Sequence, residues 1–551
     1  HASIDVTNAG LITARQRGVR LVEGGVVHNN AGGTISGGDG VDIQSGGGVL
    51  FNAGAIIGTT GFGLDFNAYY GSISNLSGGL IQGVEAGISL TTSHVTVSNA
   101  GSIAGGSGWG IASAESDTID NGATGRISGP TGILLDSGTL ANKGAIVATH
   151  YGVDVYVEGG WIANALGAEI AGGAAGVVIR SFSGSLTNSG SIIGNLTSST
   201  SVGVAFVDGA VPVTNKAGGL IAGGDAGILG ESILTVTNAG TVSGGQDGLR
   251  LGGTVINSGT ISGGAAAVRF MGGASKLILR TGAVLKGAVI GSTVSGASNT
   301  LVLQGSGKLF NRFQNFNELA AQGSGAWTLD GDGTFGSATV GAGTLRVGDA
   351  GHKTARIVID GPAANQGLID VGGGVLNITG AVTGSGSVEI SGGTLRLASS
   401  FNENVAFTGA GGVLQLAKSP TYHGTISGFA AGDKLNLASI LFASGKTTAT
   451  FTDDGSHAGG VLTVSNGSQT ARITLAGDYT GATFTIGKGS NGGTTVVEAG
   501  AGGAPAAADA LVGAMAALGG GGVDRWAPGH ASDTAASPLL RLFHGGGRAS
   551  G

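Results

Sequence analysis

The chain contains no cysteine in 551 residues. Disulfides therefore cannot staple it, and no thiolate is on hand as nucleophile or metal ligand. A protein that crosses a periplasm unfolded is well served by such a sequence. Proline is scarce, at 7, and no Gly-X-Y triplet runs through the 116 glycines, which excludes a collagen helix. Charged residues make up only 11% and the net charge is −7. With no basic stripe to release counterions, nucleic acid is not an expected partner. No apolar run approaches about 18 residues, so no membrane-spanning helix is expected. No signal peptide is expected here, since the chain opens at His1 inside a repeat, as a processed or a trimmed form would. The nine histidines show no metal-ligand spacing, and neither a P-loop nor a nominable Ser-His-Asp set appears.

What the chain does have is a repeat. Asn8-Ala9-Gly10-Leu11-Ile12 is its first copy. Asn30, Asn52, Asn75, Asn99, Asn121, Asn142, Asn164, Asn188, Asn215, Asn238 and Asn257 open the others, mostly 21 to 24 positions apart. A fixed period in that range marks a solenoid. Each copy reads as three short strands. In the copy after Asn30 they are Thr34-Ile35-Ser36, Gly40-Val41-Asp42-Ile43 and Gly48-Val49-Leu50-Phe51. Apolar and polar residues alternate in each, so one face is buried and the other is wet. No helical period competes over residues 1–270. The expected fold is all-β, a parallel β-helix of about 22 residues per coil. One Asn per coil at one turn predicts a ladder of stacked amides, against the plainer reading of Asn as a left-handed turn former.

Residues 1–270 form the regular coils, and residues 271–424 keep a looser version of the pattern. There, Leu301-Val302-Leu303 is followed by Phe310, Phe313, Phe316 and Leu319, then by Gly325-Ala326-Trp327-Thr328-Leu329. Gly343-Thr344-Leu345-Arg346-Val347 and Gly393-Thr394-Leu395-Arg396-Leu397 follow. The ordered set resembles the passenger region of bacterial autotransporters, the type V secreted adhesins. The resemblance covers roughly residues 1 to 500, and it implies a right-handed β-helix, secretion and a place at the cell surface. The membrane β-barrel that ends such proteins has no counterpart in this sequence. Residues 425–500 read as a further β module, taken as more β-helix with longer strands. Residues 501–551 are rich in Ala and Gly, with short helices expected at 506–518 and from 537.

Some β-helices act on polysaccharides through carboxylates on an outer face. Asp42 and Asp65 occupy equivalent outward positions on consecutive coils, roughly 5 Å apart, the spacing of a retaining glycosidase pair. The plainer expectation is two solvated carboxylates. Phe62, Trp109 and Tyr151 precede the glycine of the second strand, with Tyr156 and Trp161 nearby, and such rings can contact a glycan or pack on their own coil. Gly37 to Ile43 resembles a Ca²⁺-binding nonapeptide, but without tandem copies; the expectation is no cofactor, with Ca²⁺ as the alternative. The first coil carries no polar cap, and a bare strand edge recruits another strand. Head-to-tail self-association through it would make fibres or a surface matrix. The sequence thus supports a secreted, non-enzymatic structural or adhesive protein. A monomeric adhesin binding glycans or host surfaces and a polysaccharide lyase or hydrolase are the alternatives.

Overall fold

A computed structural model describes residues 4–500 except Ser93, Val157, Glu158 and Ser490. The helices expected at 506–518 and from 537 lie outside the described residues.

The described chain is a parallel β-solenoid of about 20 turns, spaced about 22 residues apart. Three lanes of strands are stacked in register through residues 5–279. The asparagine lane begins Asp5–Asn8, Gly25–Asn29, Gly47–Asn52. The isoleucine lane begins Leu11–Thr13, Thr34–Gly37, Ala55–Gly58. The glycine lane begins Arg17–Leu21, Asp39–Gln44, Leu64–Asn67. Each strand pairs in parallel with the equivalent strand one coil on, as Val27 does with Leu50 and Ile35 with Ile56.

The repeated residues are the ones the stack needs. Ile35, Ile56, Ile81, Ile103 and Ile127 form one buried column. The glycine that opens each glycine-lane strand lies against that column. A Cβ on Gly87 would stand 2.7 Å from the Ile103 Cγ2 and 2.7 Å from the Gly110 carbonyl oxygen. A branched aliphatic and a residue without a side chain therefore interlock in each turn, which is why Gly and Ile recur together.

Beyond residue 279 the same stack continues with different contents. Trp327, Phe335, Phe313 and Phe316 fill the core, the last three with ring centroids 6.0–6.2 Å apart. A ten-stranded sheet runs from Gly307–Leu309 to Thr448–Asp453.

Residues 425–500 depart from the expected extra β-helix. Thr425–Ser427 and Lys434–Leu441 still pair in parallel with the coil before them. After that one parallel pairing remains, Thr470–Ala476 beside Thr425–Ser427, and the others are antiparallel: Gly493–Glu498 against Lys434–Leu441, Phe484–Lys488 against Gly493–Glu498, and Thr448–Asp453, Gly459–Ser465 and Thr470–Ala476 in succession. Short hairpins join Thr448–Asp453 to Gly459–Ser465, Gly459–Ser465 to Thr470–Ala476, and Phe484–Lys488 to Gly493–Glu498, in place of the long returns that parallel pairing requires. Phe451, Tyr479 and Phe484 pack together within them, with centroids 5.6–6.2 Å apart.

Candidate functional site

The asparagine corner is a continuous chain of amides. The Asn8 Nδ2 donates to the Asn29 Oδ1, Asn29 to Asn52, and so on through Asn75, Asn99, Asn121, Asn142, Asn164, Asn188, Asn215, Asn238 and Asn257, each bond 2.8 Å long. All twelve side chains are buried. Each Nδ2 also faces a backbone carbonyl, as Asn52 does that of Leu80 at 3.0 Å.

The structure corrects one member: Asn29, not Asn30, occupies the corner, and Asn30 is exposed. The reason lies in the turns. Asn8-Ala-Gly10 and Asn52-Ala-Gly54 are short turns, and the Asn8 amide meets the Gly10 carbonyl two residues on. Asn29, Asn75, Asn121 and Asn215 open longer turns, and their amides meet the carbonyl four residues on. Within the longer turn, Asn30-Ala31-Gly32 imitates the short motif. Gly32 and Gly78 take the left-handed conformation there, at φ 83° in both.

Asp42 and Asp65 are register partners on adjacent coils, but neither matches the solvated pair. Asp42 has no exposed side-chain surface. Its Oδ2 lies 2.5 Å from the Arg17 Nε and 3.3 Å from the Arg20 Nε, both on the preceding coil, and Gln44 donates to it at 3.2 Å. Burial, and after it the neighbouring Asp42 charge, push the Asp65 carboxyl up to about 6. In the stretch that resembles a Ca²⁺ nonapeptide, Asp39 accepts from the Phe62 amide and lies 3.7 Å from Arg17. Its two carboxylates thus face an arginine.

The aromatic residues do not form a row. Ala86 separates Phe62 from Trp109, and Thr131 separates Trp109 from Tyr151. These rings therefore stand on alternate coils, about 10 Å apart. Trp161 belongs to the asparagine lane, between Thr139 and Ser185, and is 52% exposed. Tyr156 follows the glycine-lane strand and is exposed as well.

Three arrangements were not foreseen from sequence. Outward cations pair with carboxylates on neighbouring coils. Arg250 holds Asp225 at 2.9 Å and Asp247 at 2.7 Å, while Arg269 reaches Asp247 at 3.0 Å. Farther on, the Lys308 Nζ bridges the Asp330 Oδ2 at 2.7 Å and the Asp349 Oδ2 at 2.5 Å. The His352 Nδ1 lies 2.9 Å from Asp349 and 3.3 Å from Asp330. Hydrogen bonds from Lys308 and His352 hold the Asp349 carboxyl well below the usual range. Asp330, Asp349 and His352 have the donor set for a divalent cation, but the Lys308 ammonium already lies between the carboxylates. The third is a groove of about 560 Å³ lined by Arg396, Gln415, Lys434, Asn436, Thr485 and Lys488 among others. The signal available in sequence was the spacing of Asn377, Arg396, Gln415 and Asn436, one per coil.

The fold class defined by these features is a parallel β-solenoid with a buried amide ladder. Compared with known protein families, curated proteins and solved structures, the chain gives no match.

Proposed function

We propose that the protein is a structural and adhesive β-solenoid that works outside a Gram-negative cell and has no catalytic role. One observation carries this reading. The residues that recur from coil to coil point into the stack, while those facing outward change. The outward series on the glycine lane runs Arg20, Asp42, Asp65, Ser89, Ala112, Leu134. A repeat built this way specifies a rigid body and leaves its surface free to vary.

The motifs that resemble the passenger region of autotransporters fall on the stack: Thr344–Val347 and Thr394–Leu397 are strands, and Trp327 is buried in the core. The polysaccharide-enzyme alternative loses support at Asp42. A carboxylate with no exposed surface cannot touch a substrate, and Arg17 and Arg20 neutralise it. A panel of polysaccharides incubated with the protein is expected to yield no new reducing ends or unsaturated products; depolymerisation abolished by Asp42→Asn would overturn the non-enzymatic reading.

Self-association is the finer form of the proposal. Asp5–Asn8, Leu11–Thr13 and Arg17–Leu21 each pair on one side only among the described strands, and Ile4 and Leu11 are exposed there. The antiparallel strands around 448–498 do not offer the same parallel register, so a continuing contact would join unlike edges. Electron microscopy over a concentration series checks this. Rods that lengthen with concentration are expected, and particles of one fixed length would sink the assembly proposal.

A further inference from the structure

Some of the outward cations of this solenoid hold a carboxylate on a neighbouring strand. Arg17 has Asp42, Arg180 has Asp154, Arg250 has Asp225, and Arg346 has Asp370. Among the described residues Arg396, Lys434 and Lys488 hold none, and neither do Arg126, Lys216 or Arg472; the first three are set apart by sharing one concavity. All three line one groove, none has an ion-pair partner among the described residues, and no described carboxylate lines it. Asp433, adjacent in sequence to Lys434, is engaged elsewhere, accepting from the Gly412 and Ala430 amides at 2.9 and 3.1 Å. In a chain of net charge −7, three unpaired cations around one concavity make a local anion-attracting field.

The rest of the lining gives the anion a character. Arg396, Gln415 and Asn436 are successive register partners, with Asn377 one coil before them. They present a guanidinium and amides at the coil spacing of about 4.8 Å. Thr394, Thr485 and Thr495 add hydroxyls, and Val413, Ile486 and Val497 add apolar surface. The antiparallel strands Phe484–Lys488 and Gly493–Glu498 supply one wall. A volume of about 560 Å³ is of the size that small-molecule sites use. A bare inorganic anion has no use for the hydroxyls, amides or apolar patches. A polyhydroxylated ring bearing a carboxylate uses all of them: charge to Arg396, Lys434 and Lys488, hydroxyls to the amides and threonines, and C–H faces to the valines. The aromatic platforms on which single-stranded nucleic acid stacks are not part of the lining.

We propose that this groove binds an acidic oligosaccharide of the uronate type, laid along the coil axis over Asn377, Arg396, Gln415 and Asn436. The proposal rests on the groove alone and stands or falls separately from the scaffold reading.

The test is calorimetric titration of the full chain with a galacturonate trimer, a neutral glucose oligomer of the same length, and inorganic phosphate. The expected result is saturable binding of the galacturonate trimer that weakens as salt rises. The triple variant Arg396→Gln, Lys434→Gln, Lys488→Gln is expected to weaken it at least tenfold. A second variant, Lys216→Gln, changes an exposed cation outside the groove and is expected to leave binding unchanged. Circular dichroism and melting temperature establish that both variants are folded. No binding of the trimer, equal binding by the triple variant, or equally tight binding of phosphate or the neutral oligomer would each overturn the proposal.

Discussion

Asparagine suits the buried corner because its amide both donates and accepts in the same plane, so identical residues satisfy one another from coil to coil. An aspartate there would set acceptor against acceptor, and an alanine would leave two neighbours short. Asn52 gives to Asn75 and to the Leu80 carbonyl, and receives from Asn29. Asn52→Ala should therefore destabilise the solenoid by about 2–3 kcal/mol, since buried polar partners lose their bonds; the urea midpoint measures this. Amide exchange should speed up most in the coils around Asn29 and Asn75. Uniform exchange along the whole stack would contradict a local role for the ladder.

At Asp65 the residue-scale argument concerns pH. Its folded carboxyl is raised to about 6 from the ordinary aspartate value of 3.8, chiefly by burial. The folded state thus holds the proton more tightly than the unfolded state does. Stability contributed by this group is present below about pH 4 and is lost as pH rises to about 6. Asp65→Asn removes the penalty of a poorly solvated charge. Its urea midpoint is expected to exceed that of the parent protein at pH 8 and to match it near pH 4. After discounting for partial exposure, the gain is on the order of 1 kcal/mol. An equal gain at both pH values would remove titration of Asp65 as the cause.

On the element scale, the glycine lane and the isoleucine lane constrain each other. Gly87→Ala places a methyl 2.7 Å from both the Ile103 Cγ2 and the Gly110 carbonyl, and overpacking of this kind costs about 1–3 kcal/mol. Gly10, also a repeat glycine, has no atom within 4 Å of a built Cβ. Gly10→Ala is expected to be close to neutral in the same unfolding experiment. Equal effects at the two sites would mean that chain entropy, rather than the interlock with isoleucine, sets the use of glycine. Between strands, short and long turns alternate from Asn8 through Asn238. The rings Phe62, Trp109 and Tyr151 sit on coils that begin with the short turn. Two coils, rather than one, are therefore the unit that repeats.

For the whole molecule, a stack of this kind should tolerate losing a unit and resist losing a fraction. Removal of residues 75–120 takes out one long-turn and one short-turn coil and joins Ser74 to Asn121, which keeps the lanes in register. That variant is expected to retain the β circular dichroism of the parent and a cooperative thermal transition. Removal of residues 75–109 joins Ser74 to Gly110, puts an asparagine-lane strand where a glycine-lane strand belongs, and is expected to abolish folding. Similar behaviour of the two deletions would argue against nearest-neighbour stacking as the source of stability. The stack also changes character along its length. Its first coils are held by amides and aliphatics, its later ones by Trp327 and the phenylalanines, and the described solenoid finishes in antiparallel hairpins.

How much of this was legible beforehand depends on the distance over which each feature is encoded. The period, the three strands per coil, the buried aliphatic column and the amide ladder follow from residues that recur in the sequence. Strand alternation and a repeat length are local properties, and parallel stacking is the one way such short strands bury their apolar faces. The identity of a ladder member at the first long turn was not legible, since Asn29 and Asn30 both satisfy the local motif and only contact with Asn8 and Asn52 selects between them. The antiparallel finish was missed because strands of either direction carry the same alternation. The arginines over Asp42, the Lys308 bridge and the groove of Arg396, Lys434 and Lys488 join residues about 20 to 90 positions apart. Charge pairing has no period of its own, so which cations meet a carboxylate and which are left facing solvent is decided by coil register, and only the folded stack fixes that.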